Sequence, residues 1–288
     1  MTKIKKAMLT IGITLTDEQI ERFNHFYNLT VEKNAKVNLT AITDYEEFIL
    51  KHFMDSLSIV LLKNESKEVT NLLESSHSKV LDLGTGGGFP GIPLSLVYEK
   101  PQFTLMDSLQ KRIHFLNEAV AKLSVANVFP IHGRAEEFAR KADYREQFDL
   151  CTCRAVANLS TLCEYALPFV KVGGYFVSYK SGQSGEEIEQ AKHAIQLLGG
   201  KIITTYHFSL PMDFSILEDD TQPDIQPDKK IEPDQSKTDQ SKTNQNKTDN
   251  NQQTDKYMSR CFIVIQKIKH TPKKYPRKPG TPSKEPLG

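Results

Sequence analysis

The stretch DLGTGGGFPG, Asp82 to Gly91, limits what this chain can fold into more than any other ten residues. Directly before it, Lys79-Val80-Leu81 reads as the end of a short buried strand. Directly after it, Ile92 to Val97 reads as the first turns of a helix, with Pro93 near its start. Strand, glycine-rich turn and helix bring backbone N–H groups and a helix N-terminus up against a nucleotide-like ligand. A plain tight turn needs fewer glycines than this loop holds. From Lys79 onward short strands and helices alternate. Strands are predicted near 79–83, 102–107, 127–132, 147–152 and 172–180, and helices near 91–99, 109–124, 134–141, 158–168 and 184–198. That alternation specifies an α/β doubly wound parallel sheet. Lys201 to Ser209 and Arg260 to Ile268 add two strands, for a seven-stranded sheet.

The glycines fit two ligand classes. Gly86, Gly88 and Gly91 match G-x-G-x-x-G, the dinucleotide pattern, which alone is weak evidence. Gly84, Gly86 and Gly88 follow Asp82 as acidic-x-G-x-G-x-G, which resembles the first motif of class I methyltransferases that use S-adenosylmethionine. A carboxylate at Asp82 would act on that ligand's ammonium, a group NAD lacks. About twenty residues on, Phe103-Thr104-Leu105-Met106 ends in Asp107, an acid placed to take both hydroxyls of a ribose. Asp107 supports an adenosine-type cofactor without distinguishing the two, and it also suits a cap for the following helix.

Thr16 with Gln19 forms a capping box ahead of a helical stripe through Ile20, Phe23, Phe26, Tyr27 and Val31. Thr43 with Glu46 is read as a second box, opening a helix that carries His52 and Asp55 on one face. A polar bracket holding these helices over the glycine loop is the expected role of His52, with Asn38 in the linker before it. The four cysteines include no C-x-x-C pair, so neither a zinc site nor a disulfide framework is expected. No apolar run approaches the ~18 residues of a membrane span, and no cleavable leader is legible at the N-terminus. The expectation is a cytoplasmic monomer without membrane contact.

Glu218 to Lys256 contains only Ile225 and Ile231 as apolar residues besides prolines, and a near-repeat QSKTD-QSKTN-QNKTD. Such composition cannot offset ordering entropy, so a disordered insertion is expected. It carries 10 acids and 6 bases, a net of −4, so the near-neutral whole (+1) conceals a body of +5. After Ile268, lysines and Arg277 alternate with prolines around Tyr275. That pattern predicts an extended arm whose bases follow phosphates and whose tyrosine stacks on a base. The expected organisation is a helical region over 1–65, an α/β domain over 66–217 completed by a last strand at 257–268, the insertion 218–256, and the basic tail 269–288.

Several blocks in order, DLGTGGGFPGIPL, TLMDSLQKRIHFL, GRAEEF, NLTAI, KHFMDSL, CRAVANL and KIKHTPKKYPRKPGTPSKEP, resemble the bacterial RsmG family. This family, also called glucose-inhibited division protein B, consists of 16S rRNA guanine-N7 methyltransferases. The resemblance spans nearly the whole chain except the insertion. It implies a class I S-adenosylmethionine-dependent methyltransferase fold with an N-terminal helical extension and an antiparallel last strand. The implied activity is methyl transfer from S-adenosyl-L-methionine to a guanine of the decoding-region loop of 16S rRNA, in the free RNA, an assembly intermediate or the small ribosomal subunit. Cofactor contacts then fall on Gly84, Phe89, Ala135, Glu136 and Arg154, beside Asp82 and Asp107. Arg154 and Lys180 stand where the acceptor base or its phosphates would lie. Nitrogen-7 of guanine has a free lone pair at neutral pH, so no residue is assigned as general base. Two other functions compete on residues alone. An NAD-dependent oxidoreductase would use Gly86, Gly88, Gly91 and Asp107 but lacks a recognisable substrate domain. A non-catalytic RNA-binding module would use the tail and leave Asp82, Asp107 and the glycine loop without purpose.

Overall fold

The computed structural model describes residues 1–154, 157–182, 184–218 and 256–288. The insertion expected over 218–256 lies outside the described residues apart from its two ends. Seven strands, β1 (Lys79–Leu83), β2 (Gln102–Asp107), β3 (Val128–His132), β4 (Phe148–Cys153), β5 (Val170–Ser181), β6 (Gly200–Pro211) and β7 (Tyr257–Lys267), form one sheet in the order β3-β2-β1-β4-β5-β7-β6. β1 to β5 run parallel, while β7 lies antiparallel between β5 and β6. The predicted strand positions hold to within about two or three residues, and the fold is the class I methyltransferase sheet that the family resemblance implies.

Helices wrap both faces. The N-terminal extension supplies α1 (Lys3–Thr10), α2 (Asp17–Val37), α3 (Tyr45–Phe48), a π turn at Ile49–Met54, α4 (Asp55–Leu57), a 3-10 stretch at Ser58–Lys63 and α5 (Lys67–Leu73). The crossovers then give α6 (Gly91–Val97), α7 (Gln110–Lys122), α8 (Ala135–Phe138), α9 (Leu159–Ala166) and α10 (Gly185–Leu197), followed by α11 (Ser215–Glu218) and α12 (Thr281–Lys284). The extension, α6 and α7 share one apolar layer, and α9 and α10 share the other. Phe26 of α2 stands 5.4 Å from Phe89 and 6.4 Å from Phe115, ring centre to ring centre. The helical extension is therefore part of the sheet's own core rather than an appendage.

Thr16 and Gln19 make the expected capping box, each side chain accepting the other's backbone N–H. In place of the box expected from Thr43 and Glu46, a simple cap forms one residue later. Asp44 Oδ1 accepts the Glu47 N–H at 2.9 Å, because a carboxylate outcompetes the Thr43 hydroxyl for a helix N-terminus.

The C-terminal segment departs most from expectation. Instead of a free extended arm, 269–288 folds back over the α8–α9 face. Arg145 donates to the carbonyls of Thr271 (2.8 Å) and Tyr275 (2.9 Å), and Tyr275 is buried. Arg277 grips the fully buried Glu164 through Nε (3.0 and 3.1 Å) and Nη2 (2.7 Å). Proline spacing specifies an extended backbone but not whether that backbone finds partners, and here buried carboxylate and arginine groups provide them. Lys273, Lys278 and Lys284 keep exposed side chains.

Candidate functional site

Two cavities open at the C-terminal ends of the parallel strands. The first, of about 270 Å³, is lined by Leu83, Gly84, Asp107, Ala135, Glu136 and Tyr165, among others. Gly84 adopts φ +72° and lies at its wall, and a Cβ placed there would meet nothing within 4 Å. The space next to this backbone is thus kept open for something else. Asp107 lies at the end of β2. Its Oδ2 accepts from Gly86 N at 2.9 Å and Arg112 Nη1 at 3.3 Å, and its Oδ1 accepts from Leu109 N at 2.8 Å. A carboxylate offers about four acceptor directions. Asp107 is therefore a helix-entry cap that also lines the cavity and keeps acceptor capacity there. Glu136, at the start of α8, is buried with Oε1 accepting from Gly280 N at 3.0 Å.

Gly84, Asp107, Ala135 and Glu136 thus converge on one cavity. Asp82, Phe89 and Arg154 do not line it. Asp82 is wholly buried beneath the loop, where Oδ2 accepts from Thr85 Oγ1 at 2.7 Å and Gly91 N at 2.8 Å. Burial pushes its carboxyl up to about 6. A Cβ on Gly91 would stand 2.2 Å from Leu105 Cδ2 and 2.8 Å from that same oxygen, so the last glycine of the loop is required by close packing against β1 and β2. Asp82 shapes the turn and does not face the ligand space. Phe89 packs in the aromatic cluster and stacks on His52, with centroids 4.4 Å apart and planes at 13°.

The second cavity, of about 510 Å³, is walled by Lys51, His52, Asp55, Arg154, Lys180, Glu187 and Arg260, together with Ile42, Tyr179 and Ser181. Asp55 is its keystone. Oδ2 accepts from Arg154 Nη1 at 2.7 Å and Oδ1 from Arg260 Nε at 2.6 Å. The π turn ahead of Asp55, closed by Asp55 N donating to Leu50 O, aims this carboxylate across to β4 and β7. Arg154 also donates Nη1 to Lys51 O at 3.2 Å and Nη2 to His52 Nδ1 at 3.2 Å. Since Nδ1 accepts, the ring proton sits on Nε2, which meets Thr40 Oγ1 at 2.6 Å. Burial, seconded by the Arg154 charge, lowers His52 to about 3, so it is a neutral spacer. These bonds tie the helical extension to Arg154 at the end of β4, whereas Asn38 ends α2 at φ +57°.

Lys180 lines the same cavity, at 2.6 Å from Glu187 Oε1 and 2.7 Å from Ala157 O. Glu187 Oε1 also accepts the Leu159 N–H at 2.6 Å. Cys153 and Ala157 wall the first cavity, and Arg154 walls the second. Cys153 and Arg154 are neighbours at the end of β4, so the two spaces meet at this strand end. Sequence reading missed Lys51, Glu187 and Arg260. Arg260 sits beyond the insertion, in a strand whose neighbours only tertiary pairing reveals. Glu187 is one of several acids opening α10, and only its bond to Lys180 singles it out. All four cysteines are buried, and no cluster of three or more His, Cys, Asp or Glu suited to a metal occurs among the described residues.

The chain matches the family model described as rRNA small subunit methyltransferase G over residues 19–212. It is 42% identical to the ribosomal RNA small subunit methyltransferase G of Lachnoclostridium phytofermentans, across 98% of this chain and 95% of that one. The protein of the same name from Limosilactobacillus reuteri is 40% identical across 99% and 98%. That of Staphylococcus saprophyticus is 38% identical across 99% and 97%. Each of these matches covers nearly the whole chain. The chain belongs to the rRNA small subunit methyltransferase G family, the family also called GidB.

Proposed function

We propose that this chain transfers the methyl group of S-adenosyl-L-methionine to nitrogen-7 of a guanine in the decoding-region loop of 16S rRNA. The observation that carries this reading is the pair of cavities that meet at the end of β4, where Cys153 lines one and Arg154 the other, within a chain of this family. The first cavity fits the cofactor: the open backbone at Gly84, the acceptor left on Asp107 and the carboxylate of Glu136 suit a nucleoside carrying amino and hydroxyl donors. When bound there, S-adenosylmethionine supplies an electrophilic methyl group on a sulfonium.

The second cavity receives the acceptor base. Its cations are held rigid by Asp55 and Glu187, so the guanidinium of Arg154 is fixed before substrate arrives. The N7 lone pair attacks with no proton to lose, which matches a site whose buried histidine is neutral and engaged at both nitrogens. Transfer of that methyl group would exchange the S–CH3 bond for an N7–CH3 bond and leave the positive charge on the purine. Exposed Lys273, Lys278 and Lys284 on the docked tail contact flanking phosphates. No helix among the described residues is long and apolar enough to cross a membrane, and the reading is of a cytoplasmic monomer.

The test is transfer of labelled methyl from S-adenosylmethionine onto free 16S rRNA, a partly assembled small-subunit particle and the complete subunit, with NAD titrated as a control ligand. Label recovered as 7-methylguanine from one loop is the expected result. Label on a ring carbon or an exocyclic amine, or NAD displacing the cofactor, would overturn the proposal.

A further inference from the structure

The C-terminal segment touches the cofactor cavity from behind, although more than 130 residues separate the two in sequence. Gly280, at φ +82°, turns the chain so that its N–H points at Glu136 Oε1, 3.0 Å away. A Cβ there would meet nothing within 4 Å, so the glycine serves the turn and not the packing. The next residues form α12, which lies on α9: Thr161 Oγ1 donates to Pro282 O at 3.0 Å, and Ser283 meets the hydroxyl of Tyr165. Glu136 and Tyr165 both wall the cofactor cavity. The docking is anchored just upstream by the Arg277–Glu164 pair, so the position of Gly280 is not left to a floppy end.

Glu136 needs such a restraint. A glutamate side chain has several rotamers of similar energy, and burial with one oxygen unsatisfied is costly. Among the described residues, the only hydrogen bond on its carboxylate is the one from Gly280, and it falls on Oε1. That bond selects one rotamer and leaves Oε2 for the cavity. We infer that Gly280 is a positioning residue for the cofactor site, acting through Glu136, so that residues 280–288 set the affinity for S-adenosylmethionine. The inference rests on the reading of the first cavity as the cofactor's, and it assigns to the tail a task separate from holding RNA.

The experiment measures S-adenosylmethionine binding by calorimetry, beside thermal melting and RNA affinity. The variants are the full chain, a chain ending at Pro279, Glu136→Ala, and the two changes combined. Ending at Pro279 keeps the Arg277–Glu164 anchor and Lys273 and Lys278. The expected outcome is a rise of about tenfold in Kd for the shortened chain, in the range for losing a hydrogen bond to a charged group. RNA affinity should change about twofold at most, since one lysine is lost. Glu136→Ala should weaken the full chain similarly and add nothing to the shortened one, because both act through one contact. Should the shortened chain melt without a cooperative transition, a semisynthetic full-length protein decides the matter. A peptide of residues 261–288, with glycolic acid in place of Gly280, is ligated at the native Cys261 and removes that one N–H. Full-chain affinity in the folded shortened protein or the ester-bearing one would overturn the inference, as would additive losses in the combined variant. Failure of the unaltered chain to bind S-adenosylmethionine at all would instead overturn the proposed function.

Discussion

The two cavities meet at the end of β4 and are built in opposite ways. The first is assembled from strand ends that follow one another in the chain, Gly84 after β1, Asp107 at the end of β2, and Ala135 and Glu136 after β3. Apolar side chains such as Leu83, Met106 and Leu162 line much of it, and the carboxylate of Asp107 also holds the loop. The second draws on residues far apart in the chain, 42, 51–55, 154, 179–181, 187 and 260, and is held by ion pairs. The strand-end residues of the first cavity are placed by the local course of the backbone, whereas the second depends on ion pairs between distant parts of the fold.

Gly84→Val should break the first cavity alone, and it is the largest effect expected. The added side chain projects into space that nothing in the protein occupies, at a cost of roughly 1–2 kcal/mol for the left-handed backbone. The protein should remain folded and RNA affinity intact, while calorimetry finds no cofactor binding. Retained cofactor affinity would show that the cavity is not the cofactor's.

Asp55→Ala should damage the second cavity through the fold. Removing a buried carboxylate leaves Arg154 and Arg260 facing each other, and breaking such a pair costs about 3 kcal/mol. Denaturant melts should show that loss, together with a slower single-turnover methylation rate at saturating RNA. An unchanged stability would mean that the pairs are solvent-screened and contribute little. Arg154→Ala and Lys180→Ala sharpen the contrast from the other side. Each should lower the methylation rate at saturating RNA about ten- to a hundredfold, the scale of one misplaced positioning group. Cofactor Kd should stay within about twofold, because neither residue lines the first cavity. A matching loss of cofactor affinity would merge the two cavities into one site.

A smaller effect follows from His52. Its folded value of about 3 lies below the unfolded 6.5, so the native state binds fewer protons. The stability it contributes is fully present above about 6.5 and is lost as pH falls through that value toward 3. His52→Gln should flatten the acid limb of the stability profile between pH 6.5 and 4. An acid limb of unchanged steepness would assign it to other groups.

The same contrast explains what was legible in the sequence. The glycine loop, the alternating elements and the acid at the end of β2 are local signals, and they located β1, α6, β2 and Asp107 almost to the residue. NLTAI, KHFMDSL and CRAVANL were visible as separate blocks. That Thr40, His52, Asp55 and Arg154 meet at one point was not, because their hydrogen bonds cross from the helical extension to β4. Asp82 was read as a ligand group since an acid before glycines suits either task, and only its burial tells them apart. The tail was read as an arm because its bases are conspicuous and its partners, Glu136 and Glu164, lie far upstream.

The placement of β7 has a consequence for how the chain is made. β5 takes β7, not β6, as its neighbour, so its outer edge stays bare until residues 257–267 leave the ribosome. β6 emerges first and has nothing to pair with. Some 45 residues separate the end of β6 from the start of β7, and at ~5–20 residues per second the wait is roughly two to nine seconds. Through that interval the nascent chain presents two unpaired strand edges, which is the state most open to wrong pairing between neighbouring chains. Replacing residues 219–255 by a short glycine-containing turn should leave the finished sheet unchanged, since β6 and β7 already pair out to Pro211 and Tyr257. The difference should show as a shorter protease-sensitive period in timed synthesis. An equal period would mean that closure of the sheet is not limited by the arrival of its last strand.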